Sequence, residues 1–294
     1  MIGNRRWRTG MWIVAIVTAG AASGLAQTPA ASTPNAEPLR QVITVNGAER
    51  EYFIRLPKTF DSNRTYWLVL AAHGAGGNGR TFFLANGIHR YGDEQGFSVI
   101  VASPTFSAAD GAAQQFPSLG EGAFLDAVVA DVGRRYHVQS KFLLAGYSRG
   151  GQFSHRYCLE HPARVLACAP LAAGSWTTPD GRVLVQGIGE LKDVAAANAR
   201  TEELARELVT PRIAAAAWTK AAPGASAVPF LVMTGTLDPR NQVGRMFADV
   251  LKQSGFSVET AWPVTNHTPD AATRAEYERY AQETVRFFAA ITSR

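Results

Sequence analysis

The chain has 294 residues, 46% hydrophobic and 18% charged, which suits a globular protein with a sizeable core arranged as one large α/β domain or two small ones. Its formal charge of +5 includes Arg5, Arg6 and Arg8, which precede the first acidic residue, Glu37. Without these three the balance is +2 and no basic stripe remains, which argues against nucleic acid as a partner.

Taken in chain order, the three arginines lead into an apolar run from Met11 to Ala22 and then Gly24-Leu25-Ala26. This pattern predicts a secretory signal peptide over residues 1–26, cut after Ala26. The run is shorter than the roughly 20 residues that a membrane span needs, so no stable anchor is expected after cleavage. The mature protein is expected to be secreted or periplasmic. Residues 27–38, rich in Ala, Thr, Ser and Pro, read as a flexible lead-in, and a single domain is expected over 39–294.

That domain opens with two strands, Gln41–Val45 and Glu51–Leu56, around the tight-turn pair Asn46-Gly47. Further strands are predicted at Tyr66–Ala72, Ser98–Ala102, Phe142–Tyr147, Val165–Leu171, Pro229–Gly235 and Ser257–Val264. Helices are predicted at Thr81–Gln95, Glu121–Tyr136, Gln152–Glu160, Gln242–Ser254 and from Ala271 to Ile291. A hairpin followed by repeated β-α units implies an α/β fold, with a mostly parallel central sheet covered by helices on both faces. Residues 176–227 break the rhythm with one helical piece, Val194–Val209, and no convincing strand. The segment reads either as a cap or lid over a pocket or as a surface elaboration. Cys158 and Cys168 fall on neighbouring elements, and both a disulfide and two buried thiols fit the sequence.

The strand at Phe142–Tyr147 ends in Gly146-Tyr147-Ser148-Arg149-Gly150, a G-x-S-x-G run leading directly into a helix. A serine on such a turn is lifted out of the sheet beside a helix N-terminus, and the flanking positions must be small to avoid collision. Ser148 is therefore the candidate nucleophile. Its base and orienting acid are expected downstream in the order acid, then histidine. Asp238 follows the strand at Pro229–Gly235, and His267 follows the last strand, both at the sheet edge where Ser148 emerges. Asp270 is an alternative acid but reads better as the start of the final helix; His137, His155 and His161 read as helix-end or packing residues.

An oxyanion hole needs two backbone N–H donors. One is the amide of Arg149; the second is expected from the loop His73-Gly74-Ala75-Gly76-Gly77-Asn78-Gly79, with Ala75 favoured by position and Gly74 and Gly76 as alternates. The same loop matches G-x-G-x-x-G, but the next strand ends in Val101-Ala102-Ser103-Pro104 without the acid that a dinucleotide site requires.

Three segments carry a family resemblance. They are Leu70–Asn78 with Gly96–Ile100, Asp131–Tyr136 leading into Gly146–Gly151, and Gly235-Thr236-Leu237-Asp238 with His267. With these the chain from Leu39 to Ile291 resembles secreted α/β-hydrolase esterases of the poly(3-hydroxybutyrate) depolymerase and feruloyl esterase group. It departs from them at Tyr147-Ser148-Arg149, where many members carry Leu-Ser-Ala or Trp-Ser-Met. The resemblance implies hydrolysis of small or polymeric carboxylic esters through an acyl-enzyme on Ser148, His267 and Asp238, with no metal or organic cofactor. Phe82, Phe83, Phe106 and Trp176 are expected to be pocket walls or ordinary core. Alternatives are a serine peptidase on the same fold or a binding protein without turnover, and oligomeric state is not legible.

Overall fold

The computed structural model describes residues 37–106, 121–185, 189–191, 220–268 and 270–294. The expected leader and most of the lead-in, and the helical piece at 194–209, lie outside these residues.

An N-terminal hairpin of β1 (Leu39–Val45) and β2 (Ala48–Arg55) turns at Asn46-Gly47. After it come β3 (Trp67–Ala72), α1 (Gly79–Asn86), α2 (Ile88–Glu94), β4 (Val99–Pro104), α3 (Glu121–Arg135), β5 (Phe142–Tyr147), α4 (Arg149–Glu160) and β6 (Val165–Leu171). Three short strands follow, β7 (Ser175–Thr177), β8 (Val183–Val185) and β9 (Gly189–Leu191). The chain closes with β10 (Phe230–Met233), α5 (Asn241–Gln253), β11 (Val258–Ala261) and α6 (Arg274–Thr292).

The main sheet has eight strands in the order β1-β2-β4-β3-β5-β6-β10-β11. β2 pairs antiparallel with β1 and β4, and every other pairing is parallel. The central strands are apolar at nearly every position because both faces are covered. Side chains alternate between those faces: Leu68, Leu70 and Leu144 pack with Phe124, Phe153 and Leu251, whereas Val69, Ala71 and Leu143 pack with Phe83, Ile88 and Phe288. Helices α3, α4 and α5 therefore cover one face, and α1, α2 and α6 the other.

The structure departs from the sequence reading at two places. The single helix expected over Thr81–Gln95 is two helices, broken at Gly87 in a left-handed conformation with φ of 69°. The Asn86 side chain accepts the Ile88 N–H at 2.9 Å and starts the second piece. The segment expected to lack strands carries the antiparallel sheet β7-β8-β9. Each of these strands has only three residues, too few for a period-2 pattern to show.

Cys158 and Cys168 are free thiols, both buried, with burial pushing the Cys168 thiol up.

Candidate active site

Four loops meet at the C-terminal edge of the parallel strands, after β3, β5, β10 and β11. The loop after β5 is the tightest. Ser148 adopts φ 55° and ψ −112°, a strained backbone held by its N–H bond to the Leu171 carbonyl at 2.8 Å. A Cβ at Gly146 would lie 2.2 Å from the Gly150 carbonyl oxygen, and one at Gly150 would lie 2.1 Å from that of Ala72. Both positions must be glycine for the turn to nest between strand and helix.

The three side chains singled out in the sequence lie in one hydrogen-bonded line. His267 Nε2 is 3.1 Å from Ser148 Oγ, and His267 Nδ1 is 2.8 Å from Asp238 Oδ2. Asp238 is 2% exposed, whereas the His267 side chain keeps 23% of its surface open to an incoming molecule. Burial alone would raise the Asp238 pKa, but the hydrogen bonds from His267 and the Arg240 N–H, with the Arg240 guanidinium, hold it below the ordinary carboxylate value. Arg240 supplies its backbone N–H at 2.9 Å and Nη1 at 3.1 Å, both to Asp238 Oδ1. The Leu237 N–H donates to the Thr265 carbonyl at 3.2 Å, joining the loops that carry Asp238 and His267.

Tyr147 braces His267 from the other side. Its hydroxyl donates to the His267 carbonyl at 2.5 Å, and its ring stacks on the imidazole at 5.0 Å between centroids. The glycine-rich loop after β3 lies against this elbow, for a Cβ at Gly74 would sit 3.0 Å from the Tyr147 ring and 3.4 Å from Ser148 Cβ. His73 holds the loop in shape. It is buried, its Nε2 accepts the Phe106 N–H at 3.0 Å, and its Nδ1–H therefore donates to the Gly74 carbonyl at 2.8 Å. Burial lowers its pKa, which keeps the ring neutral and fixes this tautomer. Ala75, next along, is exposed.

The remaining candidates are scattered. The Asp270 Oδ1 accepts the Thr273 N–H at 2.9 Å and the Thr273 hydroxyl at 2.8 Å, as a residue opening α6 does. His155 is fully buried between the Gly151 carbonyl and the Thr177 N–H, His161 sits beside Glu160, and His137 is exposed.

For three of the four aromatic candidates, the pocket role is corrected to a core role. Trp176 is 0% exposed and stacks on Phe247 at 4.6 Å, because β7 carries it onto α4 and α5. Phe106 packs on Phe153 at 4.7 Å, and Phe83 stacks on His89 at 4.7 Å, both fully buried. Phe82 is half-buried and stacks on Tyr147 at 6.3 Å. It lines a cavity of about 380 Å³ between α1, α2 and α6, with Ile88, Leu171, Tyr277 and Tyr280, and neither Ser148 nor His267 lines that cavity.

Tyr147, His73 and Arg240 are the residues that sequence reasoning passed over. Tyr147 and His73 stood inside the motifs used, but their partners are remote in sequence, 120 residues away for Tyr147 and 33 for His73. Arg240 is two residues from Asp238, and a basic residue so close to a buried acid was the available signal.

No family model matches the chain. Over 144 residues, 48% of its length, it is 31% identical to a probable feruloyl esterase C of Aspergillus clavatus, and it spans about half (51%) of that relative. A solved ferulic acid esterase superposes with a TM-score of 0.63 at 15% identity, covering 86% of this chain and 97% of the other. A substrate-bound, fluorophosphonate-binding serine hydrolase of Staphylococcus aureus gives a TM-score of 0.58 at 16% identity, covering 85% and 96%. With its sheet order and the serine at the β5–α4 turn, the chain therefore has the α/β-hydrolase fold.

Proposed function

We propose that this protein is an exported serine hydrolase that cleaves carboxylic esters through an acyl-enzyme on Ser148. The observation that carries this reading is the line Asp238 Oδ2, His267, Ser148 Oγ, with contacts of 2.8 and 3.1 Å. With Nδ1–H donated to Asp238, His267 Nε2 presents its lone pair to the serine hydroxyl. It takes that proton as Oγ attacks the acyl carbon, then returns it to the departing alcohol. The amides of Arg149 and Ala75 receive the developing oxyanion, and the N-terminus of α4 adds a favourable potential. Water activated by His267 then releases the acid.

The likeness to feruloyl and ferulic acid esterases supports an ester as substrate. Polyester, feruloyl and acetyl esters remain the proposed range, and the arginine-led apolar N-terminus supports export.

The test is a fluorophosphonate probe on the purified protein, followed by short-chain p-nitrophenyl esters. Covalent labelling and turnover, both lost in Ser148→Ala, are expected. Folded protein that neither labels nor cleaves would favour a binding protein, and cleavage of peptides but not esters would favour a peptidase.

A further inference from the structure

Arg149, the residue after the proposed nucleophile, is the anomaly among the inward-lying arginines. The others are paired: Arg50 with Glu121 at 2.8 Å, Arg55 with Asp93 at 3.1 Å, Arg156 with Ser175 and Thr177 at 2.9 Å each, and Arg164, Arg182 and Arg240 with Asp126, Asp180 and Asp238. Arg149 is half-buried, yet among the described residues its guanidinium makes no ion pair and no hydrogen bond. Burial lowers its pKa and no neighbouring acid offsets the effect. A partly desolvated cation without a partner is costly, and a long side chain that packed only for its stem would not need the charge.

The surroundings add positive potential. Arg149 is the first residue of the 12-residue helix α4, whose N-terminal end favours anions. Arg240 stands at the Asp238 end of the line of three side chains, and among the described residues the only carboxylate it touches, Asp238, is already shared with His267. The one described acid in the hydrogen-bonded line is thus spoken for, and the local balance is cationic.

Building on Ser148 as the proposed nucleophile, we infer that the Arg149 guanidinium is a recognition site for a carboxylate on the substrate, so that the preferred esters are anionic ones. A guanidinium matches a carboxylate with two parallel N–H bonds, which gives both affinity and orientation. The missing partner of Arg149 is then the ligand itself. With its backbone one residue from Ser148, a guanidinium turned toward the nucleophile would hold an anion within one acyl or one alcohol moiety of the scissile bond.

Two matched pairs of esters test this on the whole protein. For the acyl side they are the p-nitrophenyl monoester of adipic acid and its methyl-capped diester; for the alcohol side, 4-acetoxybenzoate and its methyl ester. In at least one pair the carboxylate form is expected to have a kcat/KM about 10- to 100-fold higher, carried by KM, with the advantage shrinking as salt rises. In Arg149→Met the ratio within that pair should fall to near one, and Arg149→Lys should restore part of it. Only the ratio is read, because the Arg149 amide has its own place at the oxyanion. A wild-type ratio near one in both pairs, or a ratio unchanged in Arg149→Met, overturns the inference.

Calorimetric titration of 4-acetoxybenzoate and of monomethyl adipate into Ser148→Ala protein reads the same site without turnover. Affinity that drops about tenfold or more with Arg149→Met supports the anion site even if no ester is cleaved, in which case the hydrolase reading alone falls. Hydrolysis of neutral esters with no Arg149-dependent binding or selectivity leaves the hydrolase reading standing and overturns this one.

Discussion

Tyr147 holds the backbone of His267 while Ser148, its neighbour in sequence, faces the ring of the same histidine. The Tyr147 hydroxyl reaches the His267 carbonyl at 2.5 Å, and Ser148 Oγ lies 3.1 Å from Nε2. Nucleophile and base are therefore set by one stretch of β5 and its turn, so a displacement of the strand end moves both together.

Removing only that hydroxyl isolates its contribution. Tyr147→Phe keeps the ring stacked on His267 and deletes one hydrogen bond, worth about 1 kcal/mol. We expect kcat on a neutral ester to fall about fivefold with KM little changed, the Tm to drop only slightly, and fluorophosphonate labelling to slow in parallel. Unchanged labelling would mean that ring packing alone seats the loop.

Ser148→Ala and His267→Ala are each expected to lower kcat by orders of magnitude, and the double variant should be little worse than either single one. Losses that multiply would mean that the two residues do not act on the same step.

Asp238→Asn should cost heavily but less than loss of either partner, since it disturbs the tautomer that exposes the Nε2 lone pair. Asp270→Asn should leave most of the activity, because the Asp270 carboxylate is engaged with Thr273 at the start of α6. Steady-state rates of the two variants decide the point, and the reverse ranking would transfer the orienting role to Asp270.

Trp176→Ala should act on stability. The indole is fully buried against Phe247 and His155, and deleting a buried tryptophan costs about 3–5 kcal/mol. A large fall in Tm is expected, with relative kcat/KM across short, long and aromatic esters preserved in whatever protein stays folded. A change in ester preference at unchanged Tm would return Trp176 to a pocket role.

His155 makes stability depend on pH. Burial first, and then the neighbouring Arg156 charge, lower its pKa well below the ordinary 6.5, against a weaker opposing bond to the Gly151 carbonyl. In the folded state the ring stays neutral while the unfolded chain takes up a proton below about pH 6.5. Above that value His155 contributes no pH dependence; below it, stability falls by up to about 1.4 kcal/mol per pH unit until the folded pKa is reached. Thermal melts from about pH 8 to about pH 5 should be flat at first and then decline, and His155→Gln should flatten the decline. An identical slope in the variant would show that His155 is protonated in the folded protein.

Local sequence pattern is enough to read the β-α order, the turn at Ser148 and the positions of Asp238 and His267 at strand ends. These are local matters: continuous apolar runs mark buried strands, and a serine at a sharp turn needs Gly146 and Gly150 whatever surrounds it. Packing, and not local pattern, settles which aromatic rings are core, that α1 and α2 part at Gly87, and that Ser175–Thr177, Val183–Val185 and Gly189–Leu191 pair into a small sheet. It also decided that Tyr147, His73 and Arg240 brace the site, and that Arg149 is left without a partner among the described residues. A ring looks equally apolar in a pocket and in a core, and a hydrogen bond across 120 residues leaves no trace in either segment's pattern. Such contacts are set by which faces the completed sheet brings together, which is a property of the packed molecule.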